Sequence, residues 1–314
     1  MKLYRAGYCN LRALLMYLVI YGHLIEGRLG ESPALQVQYR WIYAVHMPAF
    51  AFLSGLFCKQ PESCRRQAGR ALSVYLTAQL AAVALLDQTP WTPYWHLWYL
   101  LSLSMWGWSC WAWRRRWIIR WYFVLLASLA GCLAGYLPFL GRGLSASRTL
   151  VFFPYFLAGV CCPVETDWRR LHPWGLAGLA LAAVLLWLVD IPLPFLYQAG
   201  PYARPSVGPL RLACYGLGGC LVLFLLTAVP DRPLPISWMG ADTLGVYLFH
   251  GPMILLLRRL PLPLPAFLAL SPLLSAGVMC SLSTLTTRRS AKINMVNAAE
   301  LTGAPPPPIR KDET

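Results

Sequence analysis

Charge is what this sequence has least of. Only 12% of its 314 residues are Asp, Glu, Lys or Arg, where a soluble domain carries about a quarter. Acidic residues are the scarcer sign, 12 against 27 Lys and Arg. The chain also lacks a C-x-x-C pair, a His/Cys cluster with zinc spacing and an internal repeat. No structural metal is therefore expected, and the ten cysteines read as small apolar residues kept reduced. No A-x-A-like site follows the first apolar segment, and Arg12, His23 and Glu26 interrupt it. It reads as a retained helix rather than a signal peptide. The net charge of +15 would suit nucleic acid in a soluble protein. In an apolar chain it reads instead as loops anchored at an anionic membrane face, with no nucleic-acid partner.

What is present is hydrophobic residue, 58% of the chain. Ten apolar segments of near-spanning length follow one another: 8–28, 41–58, 69–87, 95–113, 117–137, 149–164, 173–190, 210–229, 241–257 and 262–283. They are too close-set to leave room for a soluble domain. The expected fold is all-α, a polytopic integral membrane protein of about ten transmembrane helices with the lipid bilayer as its main solvent. With the N-terminus inside, eighteen Lys and Arg fall on the cytoplasmic side and eight outside, which places both termini in the cytoplasm. Residues 1–285 form the membrane domain. Residues 286–314, with four prolines at 305–308, read as a disordered cytoplasmic tail. The last segment holds Pro263, Pro265 and Pro272 and is expected to kink or re-enter. Trp and Tyr crowd 91–99 and 106–121 and read as interfacial anchors. The outer loop 191–209, rich in Pro, Gly and Tyr, is placed to cover a site. No oligomeric state is legible.

The polar residues inside these segments carry the functional signal. Arg12 and His23 are eleven residues apart in "LRALLMYLVIYGHLIEG". That is nearly three helical turns, about 16 Å along one face. Glu26 follows one turn on. Each membrane charge costs about 2.5–3.5 kcal/mol on insertion scales, so a stripe of them belongs on a cavity. Arg12 alone also reads as a group reaching for lipid phosphate. His46, in "YAVHMPAFAFLSGLF", is expected about one turn below the outer end of the second helix, at the depth of His23. Ser54 and Gly55 read as close-packing residues and Pro48 as a bend. His96, Arg148 and His250 fall in the outer half and are candidates to bind substrate; each also reads as an interfacial residue. Asp242 suits a helix N-terminus. At the inner face Arg65, Arg66, Arg70, Arg114, Arg115 and Arg116 read either as topology signals or as a receptor for a phosphorylated cofactor.

The stretches "LRALLMYLVIYGH", "HMPAFAFLSGLF", "WHLWYLLSL", "RTLVFFPYFLAGV" and "TLGVYLFH" occur in this order over residues 10–252. Together the set resembles membrane acyltransferase family 3, especially its fucose 4-O-acetylase-like branch. The resemblance implies transfer of an acyl group, usually acetyl from acetyl-CoA, to a hydroxyl of an envelope or exported glycan, in a bacterial inner membrane. It implies that Arg12 and His23 are the essential R-x10-H pair, that His46 shares the site, and that Arg148 precedes the family's F-P segment. Glu26 is assigned on physical grounds, as the carboxylate that orients His23. Two other readings remain open from the residues: a proton-coupled transporter, and a non-catalytic partner in glycan assembly.

Overall fold

The computed structural model describes residues 6–114, 118–197 and 200–302, with backbone alone for Tyr197, Pro205 and 287–302. The described chain is all-α, with short 3-10 turns and no strand. Its helices are α1 (Ala6–Glu26), α2 (Pro33–Leu56), α3 (Pro61–Leu86), α4 (Trp98–Arg114), α5 (Trp121–Ala134), α6 (Ala146–Cys161), α7 (His172–Leu188), α8 (Leu193–Tyr197), α9 (Leu210–Ala228), α10 (Ser237–Ala241), α11 (Leu244–Leu257) and α12 (Leu264–Thr302). All but α8 and α10 have fourteen residues or more. Six stretches, built on α1, α3, α6, α7, α9 and α12, are long and apolar enough to cross a membrane.

α1 is the axis of the bundle. Leu15, Met16, Ile20 and Ile25 are fully buried, and the helix packs on α2, α10, α11 and α12. The peripheral helices show the reverse pattern from a water-soluble bundle. On α5 the buried residues are Ala127, Gly131 and Ala134, while Leu125, Leu126, Leu129 and Leu133 are exposed. On α7 the buried residues are Gly175, Gly178 and Ala182; Trp174 and Trp187, near its two ends, are exposed. Small residues face protein, where close backbone approach drives association, and large apolar ones face lipid. α2 and α6 meet the same way. A Cβ at Gly55 would fall on the carbonyl oxygen of Phe156, and one at Gly159 on that of Phe52.

Several boundaries differ from the apolar segments. α2 starts at Pro33 and α3 at Pro61, eight residues earlier than expected in each case. Both begin with Pro in the first turn and continue through polar turns (Gln36, Gln38 and Arg40; Glu62, Arg65 and Arg66) that an apolar run does not register. His46 is therefore thirteen residues into α2 instead of one turn below its outer end. α12 is one helix with Pro272 inside it, and its backbone stays helical to Thr302, beyond the boundary expected at 285. The prolines at 305–308 lie outside the described residues. Trp106 is buried, its Nε1 donating to the Thr149 carbonyl at 2.8 Å, and is a core residue rather than an interfacial anchor. Cys58 and Cys64 depart from the all-reduced expectation. The α2–α3 turn brings their Cα atoms to 4.9 Å and they form a disulfide.

Candidate active site

A cavity of about 1150 Å³ runs between the helices, larger than a single drug-sized ligand needs. Its lining includes Arg12, His23 and Glu26 along α1, Tyr43 and His46 on α2, Arg66 and Arg70 on α3, and Arg148 on α6. The stripe expected on the first helix thus faces one continuous space. The end beside Glu26 is termed outer here and the end beside Arg66 inner, following the Lys/Arg asymmetry.

The outer end is a network of held groups. His23 Nδ1 is 3.2 Å from the Tyr43 hydroxyl and 3.6 Å from Glu26 Oε2. The second distance is an electrostatic contact rather than a hydrogen bond. Glu26 is fixed from the other side: Arg258 Nη2 donates to Oε2 at 3.0 Å and the Tyr39 hydroxyl to Oε1 at 3.1 Å. The same Arg258 nitrogen donates to the His23 carbonyl, and its guanidinium lies 5.5 Å from the Trp95 ring centre. Trp95 packs on His23 at 4.8 Å between centroids.

His46 is 3% exposed, and its ring lies 4.7 Å from that of Tyr43. Its Nδ1 is 2.7 Å from the Ile42 carbonyl. A carbonyl only accepts, so Nδ1 carries the proton, and Nε2 of a neutral ring presents a lone pair. While neutral, His46 can accept a proton at Nε2 but cannot donate an N–H from there to an oxyanion. Tyr43 therefore stands between the two histidines singled out from the sequence.

His250 does not line the cavity. It is fully buried behind His23, the two rings stacked at 5.5 Å, and its Nδ1 lies 2.7 Å from the Tyr247 carbonyl. His96 lines the cavity and sits 4.7 Å from His250. Arg148 lines the cavity with its guanidinium 4.9 Å from the Trp98 ring centre.

At the inner end the six candidate arginines divide. Arg66 and Arg70, one turn apart on α3, line the cavity and form no ion pair with a described residue. Arg65 is turned to an exposed pair with Glu62 at 3.0 Å and does not line it. Arg114 donates to the Lys59 carbonyl, and Lys59 Nζ in turn bonds the Gly159 and Val160 carbonyls at 2.7 and 3.0 Å. Those two cations tie the α2–α3 turn to α4 and α6. Arg115 and Arg116 lie outside the described residues. Arg12, half-buried, makes no hydrogen bond or ion pair with a described residue and faces the same space. Asp242 Oδ1 accepts from the Leu244 amide at 3.3 Å, in keeping with its expected place before a helix.

Sequence reasoning passed over Arg258, Tyr43, Trp95 and Arg142. In the sequence Arg258 is one more loop charge just beyond an apolar segment. Its partners His23 and Glu26 are over 230 positions away in the chain, a distance no local pattern bridges. Tyr43 does carry a local signal, since it precedes His46 by three and shares its helix face. The outer loop reaches the cavity through one short helix. Phe195 and Leu196 of α8 are buried, Leu196 lines the cavity, and the buried Arg211 donates to the Phe195 carbonyl at 2.6 Å.

Among groups of three or more His, Cys, Asp or Glu, the described residues hold none arranged to bind a metal ion. No curated protein and no solved structure matches the chain. A family comparison does match, over residues 7–287, and what it describes is an acyltransferase domain. The match spans α1 to the membrane part of α12 and takes in every lining residue of the cavity. The chain is a multi-pass membrane protein of the acyltransferase domain family, the family 3 to which its motifs pointed.

Proposed function

We propose that this enzyme is an O-acyltransferase that moves acetyl from cytoplasmic acetyl-CoA to a hydroxyl of an envelope or exported glycan. Its place would be the bacterial inner membrane. The observation that carries this reading is the single cavity joining Arg66 and Arg70 at one end to His23 and His46 at the other. Arg66, Arg70 and Arg12 suit the phosphates of the donor, because guanidinium pairs with phosphate oxygens in a bidentate fashion. The thioester then lies along α1 toward His23.

His23 is the general base in this scheme. Glu26 and Tyr43 hold the Nδ1 side of the ring, leaving Nε2 to take the hydroxyl proton as the oxygen attacks the thioester carbon. A C–O bond forms, the C–S bond breaks, and the leaving thiolate takes up the proton that His23 accepted. Arg148, which lines the same space, is the cation this scheme assigns to the oxyanion of the tetrahedral state. His46, with its lone pair at Nε2, is the second acceptor in reach of the same space.

The test is transfer of radiolabel from acetyl-CoA by purified protein in liposomes, with wild type compared to His23→Ala at equal folded yield. Label that reaches an added glycan only when His23 is present supports the reading. Transfer that survives His23→Ala rules His23 out as the base. Failure to bind CoA, across a panel of donors and acceptors, sinks the donor assignment and turns attention to solute flux through the cavity.

A further inference from the structure

We propose that Arg258 is a positioning residue for acyl transfer: through Glu26 it sets which ring nitrogen His23 offers to the acceptor hydroxyl. The inference rests on the acyltransferase reading above and adds a residue to the machinery of that site.

Glu26 is poorly placed to orient a ring by itself. It is the last residue of α1, its side chain is 34% exposed, and a glutamate has several bonds about which to swing into solvent. Its Oε2 stands 3.6 Å from His23 Nδ1, too far for a hydrogen bond, so the ring does little to hold the carboxylate. Two other groups hold it. The Tyr39 hydroxyl donates to Oε1 at 3.1 Å and Arg258 Nη2 donates to Oε2 at 3.0 Å. Tyr39 alone would let the carboxylate turn about one oxygen. Arg258 grips the oxygen that faces His23, and its bond is the charge-assisted one. The same Nη2 also donates to the His23 carbonyl. One nitrogen thus ties the carboxylate to the backbone of the residue whose ring it orients.

Arg258 is itself held in place. It closes α11, its amide bonding the Ile254 carbonyl at 2.8 Å. Its guanidinium lies 5.5 Å from the centre of Trp95, the indole that packs on His23 at 4.8 Å. Gly27 leaves room for it, since a Cβ there would come within 3.3 Å of Nε and 3.4 Å of Cδ. Nε is buried with no hydrogen-bond partner among the described residues. An unpaired buried donor costs stability, and the side chain bears that cost while Nη2 reaches both acceptors. The neighbouring outer cations do not substitute for it: Arg28 pairs with Glu31 and Arg40 with Asp190. Arg258 does not line the cavity, so it acts on the reaction through Glu26 and not on the substrate.

The chemical consequence is a choice of tautomer. A carboxylate only accepts hydrogen bonds. Held beside Nδ1, it keeps the ring proton there and leaves the lone pair on Nε2, the form a general base needs. Released to solvent, it lets the neutral ring divide between its two tautomers, and one of them has no lone pair at Nε2.

The first measurement needs no substrate. Full-length protein labelled with 15N at its five histidines is placed in lipid nanodiscs, and the tautomer of His23 is read by solid-state NMR at a pH where the ring is neutral. The His23 signals are those missing from His23→Ala. Wild type should show the Nδ1–H form, and Arg258→Gln a mixture of both forms. Arg258→Lys, which keeps the charge, should stay nearer to wild type. Gly27→Val, which crowds Nε without removing the charge, should give the mixture by a second route. The second measurement is kcat for transfer from acetyl-CoA to the glycan that accepts label in the liposome assay. Arg258→Gln should lose about 10–100-fold, the scale seen when a partner that orients a functional histidine is removed, with the KM for acetyl-CoA within about twofold. Combined with Glu26→Gln it should lose no more than Glu26→Gln alone, because a residue that acts through Glu26 then has nothing left to position. An unchanged tautomer in both Arg258→Gln and Gly27→Val, an unchanged kcat in Arg258→Gln, or losses that multiply in the double variant overturn the inference. Absence of transfer by the wild type overturns the acyltransferase reading instead, and the NMR comparison still decides what Arg258 does to His23.

Discussion

The two ends of the cavity are made differently. At the outer end, His23, Glu26, Tyr39 and Arg258 fix one another through contacts of 3.0 to 3.6 Å. At the inner end, Arg12, Arg66 and Arg70 line the space and make no ion pair with a described residue. A group that performs proton transfer gains from being held in one geometry. A group that receives a mobile, highly charged ligand gains from being unengaged until the ligand arrives, since breaking an existing pair would be subtracted from binding. On the proposed function, the contrast puts chemistry at one end and capture at the other.

Substitutions can break that contrast if it is wrong. The largest effect is expected for His23→Ala, a loss of about 10²–10⁴ in kcat with membrane insertion intact, the range for a positioned general base. Glu26→Gln keeps the shape but removes the charge that faces His23 and Arg258. It should lower kcat about 100-fold while leaving the KM for acetyl-CoA within about twofold. At the inner end the split should reverse. Arg66→Gln and Arg70→Gln should each raise the KM for the acyl donor about tenfold with little change in kcat, as expected for loss of one charge-assisted contact. Smallest of all is Arg65→Gln, next to Arg66 in the chain but paired to Glu62 in solvent. It should change neither constant measurably. Equal effects for Arg65 and Arg66 would show that the inner arginines act only through net charge.

A separate prediction concerns the scaffold. Gly55→Ala puts a methyl against the Phe156 backbone where α2 and α6 touch. The two helices must separate, at a cost of about 3 kcal/mol, and thermal unfolding in detergent should report it. An unchanged melting temperature would mean that this helix pair is not closely packed.

How much of this was legible depends on the distance over which residues must cooperate. The polar stripe of α1 was readable because Arg12, His23 and Glu26 lie on one helix, where spacing alone fixes a shared face. The inner arginines were readable as a group, but not as individuals. Arg65 and Arg66 are neighbours in sequence and 100° apart around the helix, so one meets solvent and the other the cavity. Arg258 was out of reach, since its value comes from carbonyl and carboxylate groups at the far end of the chain. The early starts of α2 and α3 were missed because their first turns are polar, and a hydrophobic run records where lipid begins rather than where the helix begins. Trp106 was misjudged because a lone indole reads alike at an interface and in a core; only its bond to Thr149 tells them apart.

α5 and α11 have fourteen residues each, about 21 Å of helix against a hydrocarbon layer of about 30 Å. Where the lipid beside α5 thins to match it, the two aqueous surfaces draw toward each other. The enzyme would then work across a locally thinned sheet, with its two water-borne substrates nearer to contact than the surrounding membrane allows, and its rate would depend on the acyl-chain length of its neighbours.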